Sequence, residues 1–206
     1  GMTVSIAFEL DQGAAAPNTA ANNATASTST NSNNVFDSHS LSIGMGDMGT
    51  FTFAGHGGSS AASAVDDTTG GIWDYQGTTT DPLTGATGDN SMKYTNSSIM
   101  DGLSVAVSYL PHSTHVHSSS VDYAVAYTGY DGLVVGYANG ENKKGAVATH
   151  ADVQHMYANY TFGPLKVAYQ SNESDSATDT SDQDFTAYSV SYTVSENLSV
   201  LYAVAE

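Results

Sequence analysis

Apolar residues alternate with small or polar ones along most of the chain, and strict alternation marks a strand whose two faces meet different surroundings. The clearest run sets Leu103, Val105, Val107 and Tyr109 on one face against Ser104, Ala106 and Ser108 on the other. The same rhythm runs through Val4, Ile6, Phe8 and Leu10, through Val121, Tyr123, Val125 and Tyr127, and through Leu133, Val135 and Tyr137. It returns in Leu165, Val167 and Tyr169, and in Tyr188, Val190, Tyr192 and Val194. Eleven strands follow, centred on 2–10, 38–46, 50–57, 91–98, 102–110, 121–130, 132–140, 152–162, 165–172, 184–194 and 198–206.

The connections alternate between short and long. Tight turns are expected at Gly46-Asp47-Met48-Gly49, Met100-Asp101-Gly102, Tyr130-Asp131-Gly132, Phe162-Gly163-Pro164 and Ser195-Glu196-Asn197, and polar loops at 11–37, 58–90, 111–120, 141–151 and 173–183. Successive connections of an antiparallel meander fall at opposite ends of the sheet, so all short turns share one end and all long loops the other. A transmembrane β-barrel is organised in this way.

Charge placement points in the same direction. The chain carries 21 acidic residues against four basic ones, all lysine, for a formal charge of −17. Such a balance opposes binding to the phosphate backbone of nucleic acid, which takes dense Lys or Arg. Apart from Asp152 and Asp184, each the first residue of its strand, the predicted strands carry only Glu9, Asp122 and Glu206 as acids; Glu9 and Asp122, like Lys93 and Lys166, stand on the face opposite the apolar one. A charge facing the bilayer midplane costs about 2 to 4 kcal/mol and almost nothing at the interfaces, so this placement suits lipid on the apolar side. Tyr109, Tyr130, Tyr137, Tyr160, Tyr169 and Tyr192 stand on that side near strand ends, where an aromatic girdle would lie at headgroup level. The absence of cysteine excludes disulfides, thiol nucleophiles and Cys-type zinc sites. No apolar run approaches the length of a membrane-spanning helix, and residues 1–10 have no secretory-signal pattern. Both ends fall inside predicted strands, which suggests a longer barrel.

The segment Gly46-Asp47-Met48-Gly49-Thr50-Phe51-Thr52-Phe53-Ala54-Gly55-His56-Gly57-Gly58 resembles the general porin family of Gram-negative bacteria, especially its alphaproteobacterial members. There a short turn and a strand ending in glycine lead into a long loop that folds inward and narrows the channel. The matching loop here is Ser59 to Asn90, followed by Ser91-Met92-Lys93-Tyr94-Thr95-Asn96, which resembles the family's next strand. The resemblance implies a sixteen-stranded antiparallel barrel, with Thr50–Gly57 as its fifth strand and the inward loop as the third external one. It also implies passive passage of small hydrophilic solutes and ions, an outer-membrane location among lipid and lipopolysaccharide, and a homotrimer. Family members end on an aromatic residue; this chain ends on Glu206.

Rings of carboxylates at a constriction favour cations. The loop supplies Asp66, Asp67, Asp74, Asp81 and Asp89, with Trp73 and Tyr75 available as anchors, and Glu9, Lys93, Asp122 and Lys166 point inward from the strands. In the family, loop acids face basic residues on the opposite wall. With no arginine and few inward lysines here, a weak cation preference is expected. Each aspartate taken alone is equally readable as a solvated loop residue. His112, His115 and His117 could share a metal ion, but no cysteine or local carboxylate completes the set. The acids at 173, 175, 179, 182 and 184 lack EF-hand spacing and read as a solvated loop. No nucleophile elbow, zinc-protease helix motif or phosphate-cradling loop is present, so neither catalysis nor a cofactor is expected. The competing reading, a soluble acidic β-rich surface or adhesion module, would place acids rather than Val, Leu and Tyr on outward strand faces.

Overall fold

The computed structural model describes residues 1–10, 36–64, 68–69, 87–111, 118–143, 150–177 and 182–206. Eleven strands form one antiparallel sheet in sequence order. They are β1 (Thr3–Leu10), β2 (Phe36–Gly44), β3 (Thr50–Ala54), β4 (Ser91–Asn96), β5 (Leu103–Leu110), β6 (Ser120–Tyr130), β7 (Leu133–Asn142), β8 (Ala151–Phe162), β9 (Leu165–Ser176), β10 (Gln183–Ser195) and β11 (Leu198–Ala205). β1 and β11 form the two edges, so the sheet is open. Among the described residues no helix is long and apolar enough to cross a membrane.

The meander sorts its connections as the sequence implies. Two-residue turns join β6 to β7, β8 to β9 and β10 to β11, and a short 3-10 turn at Gly46–Met48 joins β2 to β3. At the same end residues 97–102 join β4 to β5, a longer link than the tight turn expected there because β4 stops at Asn96; the connections after β1, β3, β5, β7 and β9 lie at the other end.

Register fixes the faces. Val107 lies opposite Tyr123, Tyr109 opposite Val121 and Val190 opposite Val167, which gathers the apolar rows on one side. These residues are exposed, along with Val4, Ile6, Phe8, Tyr160, Val200 and Tyr202. Tyr123 and Tyr137 pack with ring centroids 6.2 Å apart, and Tyr169 and Tyr188 at 5.3 Å, so aromatic pairs tie neighbouring strands on the same exposed side. Tyr130, Tyr160 and Tyr192 stand close to the short-turn end. Small and polar residues predominate on the opposite face, where Ala106, Ala124, Ala138, Ser108, Asp122, His155 and Gln170 are buried together with Leu110, Val153 and Phe185. The burial order of a soluble protein is thus inverted: most large apolar side chains are outside.

Three acids placed in loops by the sequence belong instead to strands: Glu141 in β7 and Glu173 and Asp175 in β9; Asp152 lies in β8. Asp184 lies near the start of β10, and Glu206 just beyond β11. The ladder outruns the apolar band, since backbone pairing continues wherever strands stay adjacent and charged side chains tolerate it once they reach water. Asp152 pairs directly with Asp175, and Glu173 with Asp184. Like charges directly opposite each other are destabilising, by roughly 0.2 to 1 kcal/mol. Asp175→Asn is therefore expected to stabilise the protein by about 0.5 kcal/mol at low ionic strength, and to lose that gain at high salt. Denaturant titrations at two salt concentrations check this; an equal effect in both would remove the electrostatic explanation.

Candidate functional site

The polar face carries the chain's other unusual feature, a loop segment lying on it. After β3 the chain passes a narrow neck where Gly58 and Gly88 exchange backbone hydrogen bonds of 3.1 and 3.2 Å. Asp89 caps this neck, accepting from the Gly57 N–H at 3.2 Å, with His56 3.8 Å away. Ser60, Ala61 and Ala62 then run along the inner face with no exposed surface. Ala61 and Ala62 pack against Ala106, Ala124 and Ala138, contributed by β5, β6 and β7. Only small residues on both sides let a backbone approach a sheet this closely.

Polar groups surround this foot of the loop. Ala61 N–H donates to Ser108 Oγ at 2.7 Å, and Ala62 N–H to Ser60 Oγ at 2.9 Å. Lys93 Nζ reaches from β4 to Ser59 Oγ and to the Ser60 carbonyl, both at 3.2 Å. Asp122 on β6 accepts from Ser108 Oγ at 3.2 Å and from the Glu141 N–H at 2.8 Å. Farther along, the Thr68 N–H and hydroxyl donate to Gln170 Oε1 on β9 at 2.8 and 3.0 Å. The loop is therefore attached to the inner face at two places, β4–β7 and β9. Beside the second attachment His155 Nδ1 lies 2.8 Å from Asn172 Oδ1, both buried. Toward the short-turn end, a cavity of about 340 Å³ opens beside Lys93, lined also by Thr50, Thr95, Asn96, Ser104 and Tyr157.

Of the residues singled out in the sequence, Glu9, Lys93, Asp122 and Lys166 all lie on the loop-bearing face, as parity required. Lys93 and Asp122 come together around the Ser60–Ala61 stretch, Lys93 on the Ser60 carbonyl and Asp122 through Ser108. Glu9 and Lys166 are exposed on that face, whereas Asp122 is only 2% exposed because the loop foot covers it. Asp89 belongs to the neck. Asp66, Asp67, Asp74, Asp81, Trp73 and Tyr75 lie outside the described residues, as do His112, His115 and His117. Among the described residues no group of three or more His, Asp or Glu side chains is placed to hold a metal ion. Ser60, Ser108 and Gln170 were not anticipated; for Ser108 and Gln170 the available signal was polarity at an inward strand position.

Comparison with known proteins accounts for this arrangement. No curated protein matches the sequence. Among solved structures, Salmonella typhi OmpF, in a complex with daunomycin, shares the fold at a TM-score of 0.51 and 14% identity, with 82% of this chain and 59% of that one covered. A mutant of Rh. blastica porin aligns at 17% identity and a TM-score of 0.47, over 82% of this chain and 50% of the other. The chain thus spans between half and three fifths of the length of these two proteins. The family model described as Gram-negative porin matches residues 1–206. An open antiparallel meander with apolar residues outside, polar residues inside and a loop laid against the inner wall is the porin arrangement, and the chain belongs to the Gram-negative porin family of the bacterial outer membrane.

Proposed function

We propose that this chain forms part of the wall, and the constriction, of a water-filled channel through which small hydrophilic solutes and ions cross the outer membrane passively. One observation carries the reading: most large apolar side chains stand exposed on one face, while alanine, serine, asparagine, glutamine and aspartate predominate on the other, with Leu110, Val153 and Phe185 buried among them. A soluble module would bury the first set, because monomeric soluble proteins rarely expose contiguous apolar patches of more than a few hundred Å². The acidic adhesion reading fails on the same ground. A bilayer gives those rows a solvent, and the polar face then lines the interior. No bond is made or broken in such transport; selection follows pore diameter and lining charge.

The constriction is assigned to residues 58–90, closed into a sixteen-stranded barrel with the rest of the wall and assembled as a homotrimer. Support comes from the Ser60–Ala62 foot on β5–β7 and the Thr68 attachment on β9. Asp66, Asp67, Asp74 and Asp81 supply the loop's carboxylates, Trp73 and Tyr75 anchor it, and Glu9 and Lys166 add wall charges of opposite sign. With acids in excess, the channel prefers cations weakly. Outside, the apolar rows meet lipid, and the acids of β7–β10 reach the lipopolysaccharide layer. Planar-bilayer reversal potentials across a salt gradient test the reading: a modest cation preference is expected, and anion selectivity would contradict it.

A further inference from the structure

Lys93 and Asp122 carry opposite charges on one wall, yet both are committed to the same small piece of the loop. Lys93 Nζ donates to the Ser60 carbonyl, and Asp122 is linked to the next residue, Ala61, through Ser108. Ser108, between them on β5, donates to Asp122 and accepts from the Ala61 N–H. Ala62 rests beside Gly140 on β7, where an added Cβ would fall 3.2 Å from Ala62 Cβ and 2.7 Å from Asp122 Oδ1. From this geometry we infer that Lys93, bound directly to Ser60, and Asp122, acting through Ser108 on Ala61, form a two-sided clamp on the Ser60–Ala61 stretch that fixes the position of the constriction loop, and that they act as positioning residues rather than as selectivity charges. Asp122 is 2% exposed, and a carboxylate covered by the loop and held by two donors presents little of its charge to a passing ion. Gly140 and the alanines of β5–β7 form the recess that makes the clamp possible.

The inference rests on the channel reading, and opposite charge separates its two outcomes. If these residues set selectivity, Lys93→Met and Asp122→Ser shift the reversal potential in opposite directions. If they hold the loop, both variants raise single-channel conductance, by about twofold where current follows the narrowest cross-section, and admit larger sugars in liposome swelling, with little change of reversal potential. The sequence has no cysteine, so the clamp can be replaced by a covalent one. Asp122→Ser vacates the space next to residue 140. Ala62→Cys and Gly140→Cys, added to it, place two Cβ atoms near the separation a disulfide spans, about 3.5 to 4.5 Å. The oxidised triple variant is expected to recover the parental conductance, and reduction to raise it again. The measurements use the protein carrying this sequence, extracted from outer membranes and checked for heat-modifiable migration; if Asp122→Ser does not insert, Lys93→Met decides alone. A parental protein that conducts while its inserted variants keep their conductance, or shift only in reversal potential, overturns the clamp. A parental protein that forms no channel overturns the functional reading instead.

Discussion

Val190→Lys is expected to lower the stability of the bilayer-inserted protein by about 2 to 4 kcal/mol, whereas Ser191→Lys, one residue along, costs about 0.5 kcal/mol, as a change on a wet surface does. Val190 lies between Tyr188 and Tyr192 in the middle of the outward apolar row of β10 and is exposed. In water an exposed valine exchanges for lysine at almost no cost. In hydrocarbon the ammonium loses its hydration without gaining a partner, and the penalty grows with depth. Ser191 pairs with Lys166 and Leu201 on the inner face, where a second cation meets solvent. Unfolding by urea from lipid vesicles measures both variants. Equal costs would mean that the two faces of β10 meet the same medium, and the assignment of lipid to one side would fall.

The second large effect is in a turn. Gly132 follows Asp131 between β6 and β7 with φ +74°, and its carbonyl accepts from the Thr161 N–H at 2.8 Å. A Cβ there would collide with the Thr161 carbonyl oxygen. Left-handed backbone costs a side chain roughly 1 to 2 kcal/mol, β-branching worsens the fit, and the collision forces β8 away from the turn. Gly132→Val is expected to destabilise the protein by about 3 kcal/mol in total. Gly46 has nearly the same φ, +66°, but open space around it, so Gly46→Ala should show the conformational strain alone, about 1 kcal/mol. The same unfolding assay checks the pair; similar losses would show that the approach to Thr161 contributes nothing.

Strands and faces were legible in the sequence because both come from one local signal. Period-two alternation in Leu103–Leu110 or Tyr188–Val194 needs no knowledge of the partner strand, and the medium outside rewards the same alternation in every strand. Strand ends were less legible. Glu173 and Asp175 looked like loop residues because acids seldom occupy strands, but β9 runs on to Ser176, paired with Ala151 across from it. Composition registers where the apolar band stops, while the hydrogen-bond ladder stops where the strands part.

The site was legible in part. Parity alone placed Lys93, Asp122, Glu9 and Lys166 on the inner face. It gave no hint that Asp122 is covered, because the cover comes from Ser60 through Ala62, a run of small residues indistinguishable in sequence from any other small polar loop. Their role depends on partners far along the chain: Ala61 on Ser108, and Thr68 on Gln170, 102 residues away. Contacts of that range leave no periodicity to read. The recess formed by Ala106, Ala124 and Ala138 was visible only as small residues within an alternating pattern, whose usual explanation is lining rather than docking.

The central claim is that hydrocarbon meets one face of the sheet and water the other. A chain without cysteine allows spin labels to be placed singly at residues 186–194 of β10 in reconstituted membranes, with collision rates measured against oxygen, which concentrates in lipid, and a neutral nickel chelate, which stays in water. Two alternating profiles in antiphase are expected, oxygen highest at 188, 190 and 192, nickel highest at 189, 191 and 193. Labels at 188, 190 and 192 shielded from both reagents would place the Val and Tyr row inside a closed protein core and contradict the claim.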